Sequence, residues 1–179
     1  MHISTPRLKF FVWLILMDKL NTRDMLRRRN FHVQPNTHCV LCSDQVGEDI
    51  NHLFFDCPFS TICWNKIGLA WDTSLNIHSR LEEASYSFNS PYFVEIFTIA
   101  AWEIWNIRNG KIFEGHSVSI QLWTVRFKAQ VLLQLHRVRE DVRSTIVQWL
   151  DTIFVIYSLP LPYPPPVFCK YLCNWFALF

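Results

Sequence analysis

Nineteen residues, CVLCSDQVGEDINHLFFDC from Cys39 to Cys57, hold three of the chain's six cysteines and one histidine. Such a cluster constrains folding more than any hydrophobic pattern does, because a disulfide framework or a metal ion would draw separated points of the segment together. A chain of 179 residues, half of them apolar, can bury a core of its own. The cluster therefore stiffens a local segment and does not replace a missing core. At the amino end, the apolar run from Phe10 to Met17 has no small-residue cleavage site behind it and is too short to span a bilayer. With Arg7, Lys9, Asp18 and Lys19 at its ends it reads as a buried helix. An intracellular, reducing setting is the default expectation, and there clustered cysteines favour metal over disulfide.

The spacing supports a metal. Cys39 and Cys42 form a Cys-x-x-Cys turn that points two thiolates at one spot, and His52 and Cys57 supply an imidazole and a third thiolate. Three sulfurs and one nitrogen suit Zn2+. The segment DINHLFFDCP reads as a short helix capped by Asp49, with His52 in its first turn. On a continuous helix, residues five apart diverge by about 140° and could not share an ion. Pro58 offers the way out: it disfavours helical geometry at Cys57 and suits the first position of a new helix, so Cys57 is expected at a break, as a helix cap. Asp56, four after His52, is an alternative ligand, though sulfur is the softer donor. His38 reads as a bystander and Cys63 as ordinary core. Cys169 and Cys173 stay outside the set.

The net charge of +2 hides an uneven distribution. Residues 7–30 carry seven Lys/Arg against two Asp, whereas residues 44–95 carry eight Asp/Glu against two Lys/Arg. Within this basic arm, Thr22 can cap a short helix whose Arg23 and Arg27 share a face, followed by Arg28 and Arg29. Two readings stand: a solvated helix face, or a set of phosphate contacts to RNA or DNA made by Arg23, Arg27, Arg28 and Arg29.

Taken together, the aromatic helix from Phe10, the LNTRDMLRRR segment, the Cys-x-x-Cys, HLFFDCP and the Trp of CWNKIG resemble the reverse transcriptase zinc-binding domain of plant non-LTR (LINE-type) retrotransposons. Asn21 stands where that family typically has proline. AAWEIWNIRNGKIFEG, from Ala100 to Gly115, resembles the Trp-x-x-Trp-x-x-Arg-Asn segment that tends to follow the zinc module. The resemblance implies a non-catalytic zinc-binding module that accompanies a polymerase, contacts nucleic acid and works inside the cell, in the nucleus. The alternative is a protein-interaction module that uses the aromatic surfaces around Trp102 and Trp105 against a polymerase-like or other helical partner.

No adjacent pair of aspartates and no recognisable ribonuclease H sequence is present, so no enzyme activity is expected. The expected fold is mainly α: a small zinc-stabilised helical module at 6–70, a polar loop at 71–90, a long helical hairpin at 91–150 and an irregular, apolar, proline-rich tail at 151–179. Ser90 and Pro91 are expected to start the first long helix, Gly115 to end it and Ser117 to start the second. Leu122, Val125, Ala129, Leu132, Leu133 and Leu135 form the second helix's expected apolar stripe. The tail is broken by Asp151 and prolines, and it is not expected to cross a membrane.

Overall fold

The computed structural model describes residues 5–31, 36–88 and 90–154. Among them the architecture is mainly α, as expected. Its helices are α1 (Pro6–Leu16), α2 (Arg23–Arg28), α3 (Pro58–Lys66), α4 (Ile77–Phe88), α5 (Phe93–Glu114), α6 (Ile120–Gln134) and α7 (Glu140–Phe154). A π-helical turn spans His52–Asp56 and a 3-10 turn spans Leu135–Arg137.

The amino-terminal helices form for local reasons. Pro6 opens α1, and Leu8, Phe11 and Ile15, three and four residues apart, put one buried stripe on the core. Asp18, with φ 51°, ends that direction. Thr22 then caps α2, its hydroxyl oxygen accepting from the Met25 N–H at 3.2 Å.

The long helix α5 is the centre of the core. Trp102 meets Phe11 of α1 edge-on at 5.0 Å, Phe97 stacks on Trp64 of α3 at 5.5 Å, and Phe93 touches Phe88 of α4. Against α6, Ala100 and Ala101 are fully buried, and the Trp123 indole N–H donates to the Ala100 carbonyl at 3.3 Å. Small side chains at this crossing let the helices approach. The helix stops at Gly115, whose φ of 70° suits glycine, and the His116 N–H returns to the Gly110 carbonyl. α7 closes on α6 through Phe127 and Phe154, while Trp149 reaches both Phe127 and Phe88.

Several expectations need correction. The stretch 71–90 is not a polar loop throughout: α4 occupies most of it, because the Asn76 side chain accepts from His78 and Ser79 while Ile77, Leu81, Ala84 and Phe88 supply a stripe on the core. Ser90 and Pro91 lie in a turn just before α5, and Ser119, not Ser117, caps α6 by accepting from Leu122. The buried face of α6 is Trp123, Phe127, Gln130, Val131 and Gln134, whereas Val125, Ala129, Leu132 and Leu133 are exposed. Two large rings one turn apart, Trp123 and Phe127, outweigh several smaller aliphatics in choosing the face. The expected single second helix is also two, since Val138 is extended between α6 and α7. Trp102 is half-buried between Phe11 and the Arg7 guanidinium, and Trp105 is buried, so the Trp105 ring does not offer the partner surface expected of it. The tail from residue 155 onward lies outside the described residues. No helix among them is long and apolar enough to cross a membrane.

Candidate metal centre

The chain between α2 and α3 bends back on itself before it reaches the π turn. His38 and Gly47 form an antiparallel bridge, with the Cys39 N–H donating to Val46 and the Glu48 N–H to Thr37. This bridge presents the Cys39 and Cys42 sulfurs from one side. On the other side, Asp49 accepts from the His52 N–H at 2.7 Å, capping the turn that carries the imidazole.

Nothing in the residue pattern marks the wide turn over His52–Asp56. The Cys57 N–H donates to the His52 carbonyl, five residues back, at 2.7 Å. Widening the turn to this spacing reduces the divergence that an α-helix would impose on residues five apart. Cys57 is extended (φ −64°, ψ 129°) and is the cap of α3, with Pro58 in the first position. The break at Pro58 is therefore present, and the π turn does the rest of the re-aiming.

The ligand atoms of Cys39, Cys42, His52 and Cys57 all lie within 4.8 Å of one another, and three of the four residues are buried. Cys39 Sγ and Cys57 Sγ are 3.9 Å apart, and Cys42 Sγ is 3.3 Å from His52 Nε2. A tetrahedral ion with sulfur ligands at about 2.3 Å needs sulfurs about 3.8 Å apart, so the donor set fits zinc in number, softness and spacing.

Backbone N–H groups also point at the sulfurs: Leu41 at Cys39, Asp44 at Cys42, and Phe59 and Ser60, from the first turn of α3, at Cys57. Each favours thiolate over thiol. The Cys57 thiol is lowered, first by the hydrogen bond with Cys39 and then by those N–H groups. Cys39 is raised by the same shared bond. Asp56 turns away to Arg80 at 3.6 Å, and Cys63 is buried in the core, its thiol raised by desolvation.

Behind the bridge sits a carboxylate that no pattern in the sequence marked. Glu48 has no exposed surface, and its Oε1 accepts from Arg108 Nε at 3.0 Å, from Arg108 Nη2 at 2.5 Å and from the Arg23 N–H at 3.1 Å. The Arg108 guanidinium also lies over the Trp105 ring at 4.7 Å. Arg108 and Glu48 thus form a buried clamp that ties the long helix to the cysteine-rich segment.

The four arginines of the basic arm do not share one environment. The Arg23 guanidinium donates to the Asn36 and His38 carbonyls and braces the bridge. Arg27 pairs with Asp24 at 2.8 Å, Arg28 with Asp18 at 2.7 Å and Asp24 at 2.9 Å, and Arg29 donates to the Asn21 side chain at 3.2 Å. Arg27, Arg28 and Arg29 remain exposed.

Residues 2–64 match the family described as zinc-binding in reverse transcriptase. This zinc-binding match takes in all four candidate ligands and the whole basic arm, and it ends inside α3. Helices α4 to α7, with the Arg108 clamp, lie beyond it. No curated protein and no solved structure matches the chain.

Proposed function

We propose that the chain is a non-catalytic zinc-binding module derived from the reverse transcriptase of a plant LINE-type retrotransposon, in which Cys39, Cys42, His52 and Cys57 hold one Zn2+. The observation that carries the reading is the convergence of three sulfurs and an imidazole inside a segment similar to the zinc-binding part of reverse transcriptases. Four protein ligands leave no open position, so the ion's role is to fix structure, not to activate water. It would join the bridge at Cys39 to the π turn and to the start of α3.

The module's work in this reading is to bind RNA or DNA in the nucleus as an accessory to a polymerase. Arg27, Arg28 and Arg29 support it, because the carboxylate partners of Arg27 and Arg28 are partly exposed and such pairs contribute little, while Arg29 donates to the neutral Asn21 side chain. A phosphate can replace them. Arg23 is occupied in bracing the bridge and serves the fold.

Elemental analysis of the purified chain tests the first half: one zinc per chain is expected, lost on Cys42→Ser, and a metal-free but fully folded wild type would refute it. For the second half, binding of RNA and DNA is measured at two salt concentrations in wild type and in Arg27→Ala/Arg28→Ala/Arg29→Ala. Wild-type binding should weaken steeply with salt and the triple variant should bind less. Salt-independent binding, or none, would leave only the structural role.

A further inference from the structure

We infer that the outer face of α1, formed by Phe10, Trp13 and Met17 with Lys9 and Lys19 at its edges, is a stacking platform for single-stranded nucleic acid. This rests on the nucleic-acid reading above and adds a second contact surface to it. The three apolar side chains are exposed by 59 %, 42 % and 52 %. They recur at three and four residues, opposite the stripe of Leu8, Phe11 and Ile15 that holds α1 to the core. Burial of the helix therefore does not account for them.

Two features identify the occupant. The Phe10 and Trp13 rings are nearly parallel, 19° apart, and stacked with centroids at 5.6 Å, so they present a preformed aromatic stack that a base can extend and not the splayed knobs that interlock with another helix. Bases stack on such rings whatever their sequence. The charge at the edges also complements phosphate. The only two acidic residues among residues 7–30, Asp18 and Asp24, are paired with Arg27 and Arg28, while Lys9 is in none of the ion pairs among the described residues and Lys19 Nζ lies 5.6 Å over the Trp13 ring. From Phe10 to Met17 the helix rises about 10 Å, room for about three bases at about 3.4 Å each. That is a small footprint for a stable protein interface, which takes about 800 Å² per partner.

The test uses the full chain, a short fluorescent oligouridine and a duplex of matched length. In Phe10→Ala/Trp13→Ala the affinity for the single strand should fall roughly 5- to 100-fold, the range expected for losing stacked bases, with duplex binding much less affected. Trp13→Phe, which keeps a ring, should retain most of the affinity, and Lys9→Ala/Lys19→Ala should reduce the salt dependence. Circular dichroism and zinc content check that each variant is folded, and the conservative and lysine variants decide the matter if the double alanine is not. Wild-type binding that all these variants retain would overturn the platform and leave the arginine reading standing. No binding by wild type would overturn both. Self-association of wild type that Phe10→Ala/Trp13→Ala abolishes, without effect on the oligonucleotide, would make the face a protein contact and overturn the platform.

Discussion

Arg108 and Glu48 are sixty residues apart in sequence and share one buried hydrogen-bonded pair. Removing one member of such a pair leaves the other charged and stranded, at a cost of about 3–5 kcal/mol. Arg108→Met should therefore destabilise the chain by that order in urea unfolding, and adding Glu48→Gln should recover part of the loss. A single variant within about 1 kcal/mol of wild type would mean the pair is dispensable. Glu103 makes a second test at this scale. It is almost fully buried in α5, its carboxyl raised to about 7, chiefly by desolvation, with Arg126 4.0 Å away and Asn106 as a side-chain partner. Because the folded state holds the proton more tightly than the unfolded chain, stability is highest below the ordinary pKa of about 4.5 and falls as pH rises to about 7. Glu103→Gln should gain about 3 kcal/mol over wild type at pH 8 and almost nothing at pH 4.5. A constant difference across that range would refute the assignment. Neither residue was legible beforehand: Glu48 sits among polar neighbours, and a glutamate or arginine on a mixed helix looks the same whether tertiary packing covers it or water does.

At the scale of elements, the caps were the most readable. Thr22, Asp49, Cys57 with Pro58, and Gly115 each act where local chemistry put them, since a cap needs only its own next few residues. Faces were harder. On α6 the aliphatic residues outnumber the aromatics, yet Trp123 and Phe127 stack at 5.1 Å inside the core and turn Leu132 and Leu133 outward. The consequence is measurable. Trp123→Ala should cost about 3–5 kcal/mol, as deletion of a buried large ring does, while Leu133→Ala should stay within about 0.5 kcal/mol. Equal costs would mean that the aliphatic stripe packs after all. The π turn was beyond reach for a related reason: nothing in HLFFD forbids an α-turn, and the wider one persists because Phe54 and Phe55 must both reach the core while His52 faces Cys42.

Across the whole molecule, the cysteine-rich segment and the long helices share one core. Phe54 meets Phe11, Phe55 and Trp64 both stack on Phe97, and Glu48 clamps Arg108. Zinc binding at a site of this kind is worth on the order of 10 kcal/mol, as much as the whole stability of a domain, so its loss is felt beyond the ligands. Read from the sequence, the long helices have apolar stripes of their own and would persist after chelation. The shared core changes that expectation into a gradient. Hydrogen exchange after chelation should show the bridge and π turn, residues 38–57, losing protection first and most. The first half of α5 and α3 should follow in part, because Phe97 loses the rings stacked on it. The α6–α7 contact, built from Phe127, Trp149 and Phe154 well away from the ligands, should change least. Uniform protection before and after would show that the ion contributes little to folding, and collapse of every helix together would show that the chain is one cooperative unit in which the metal is indispensable.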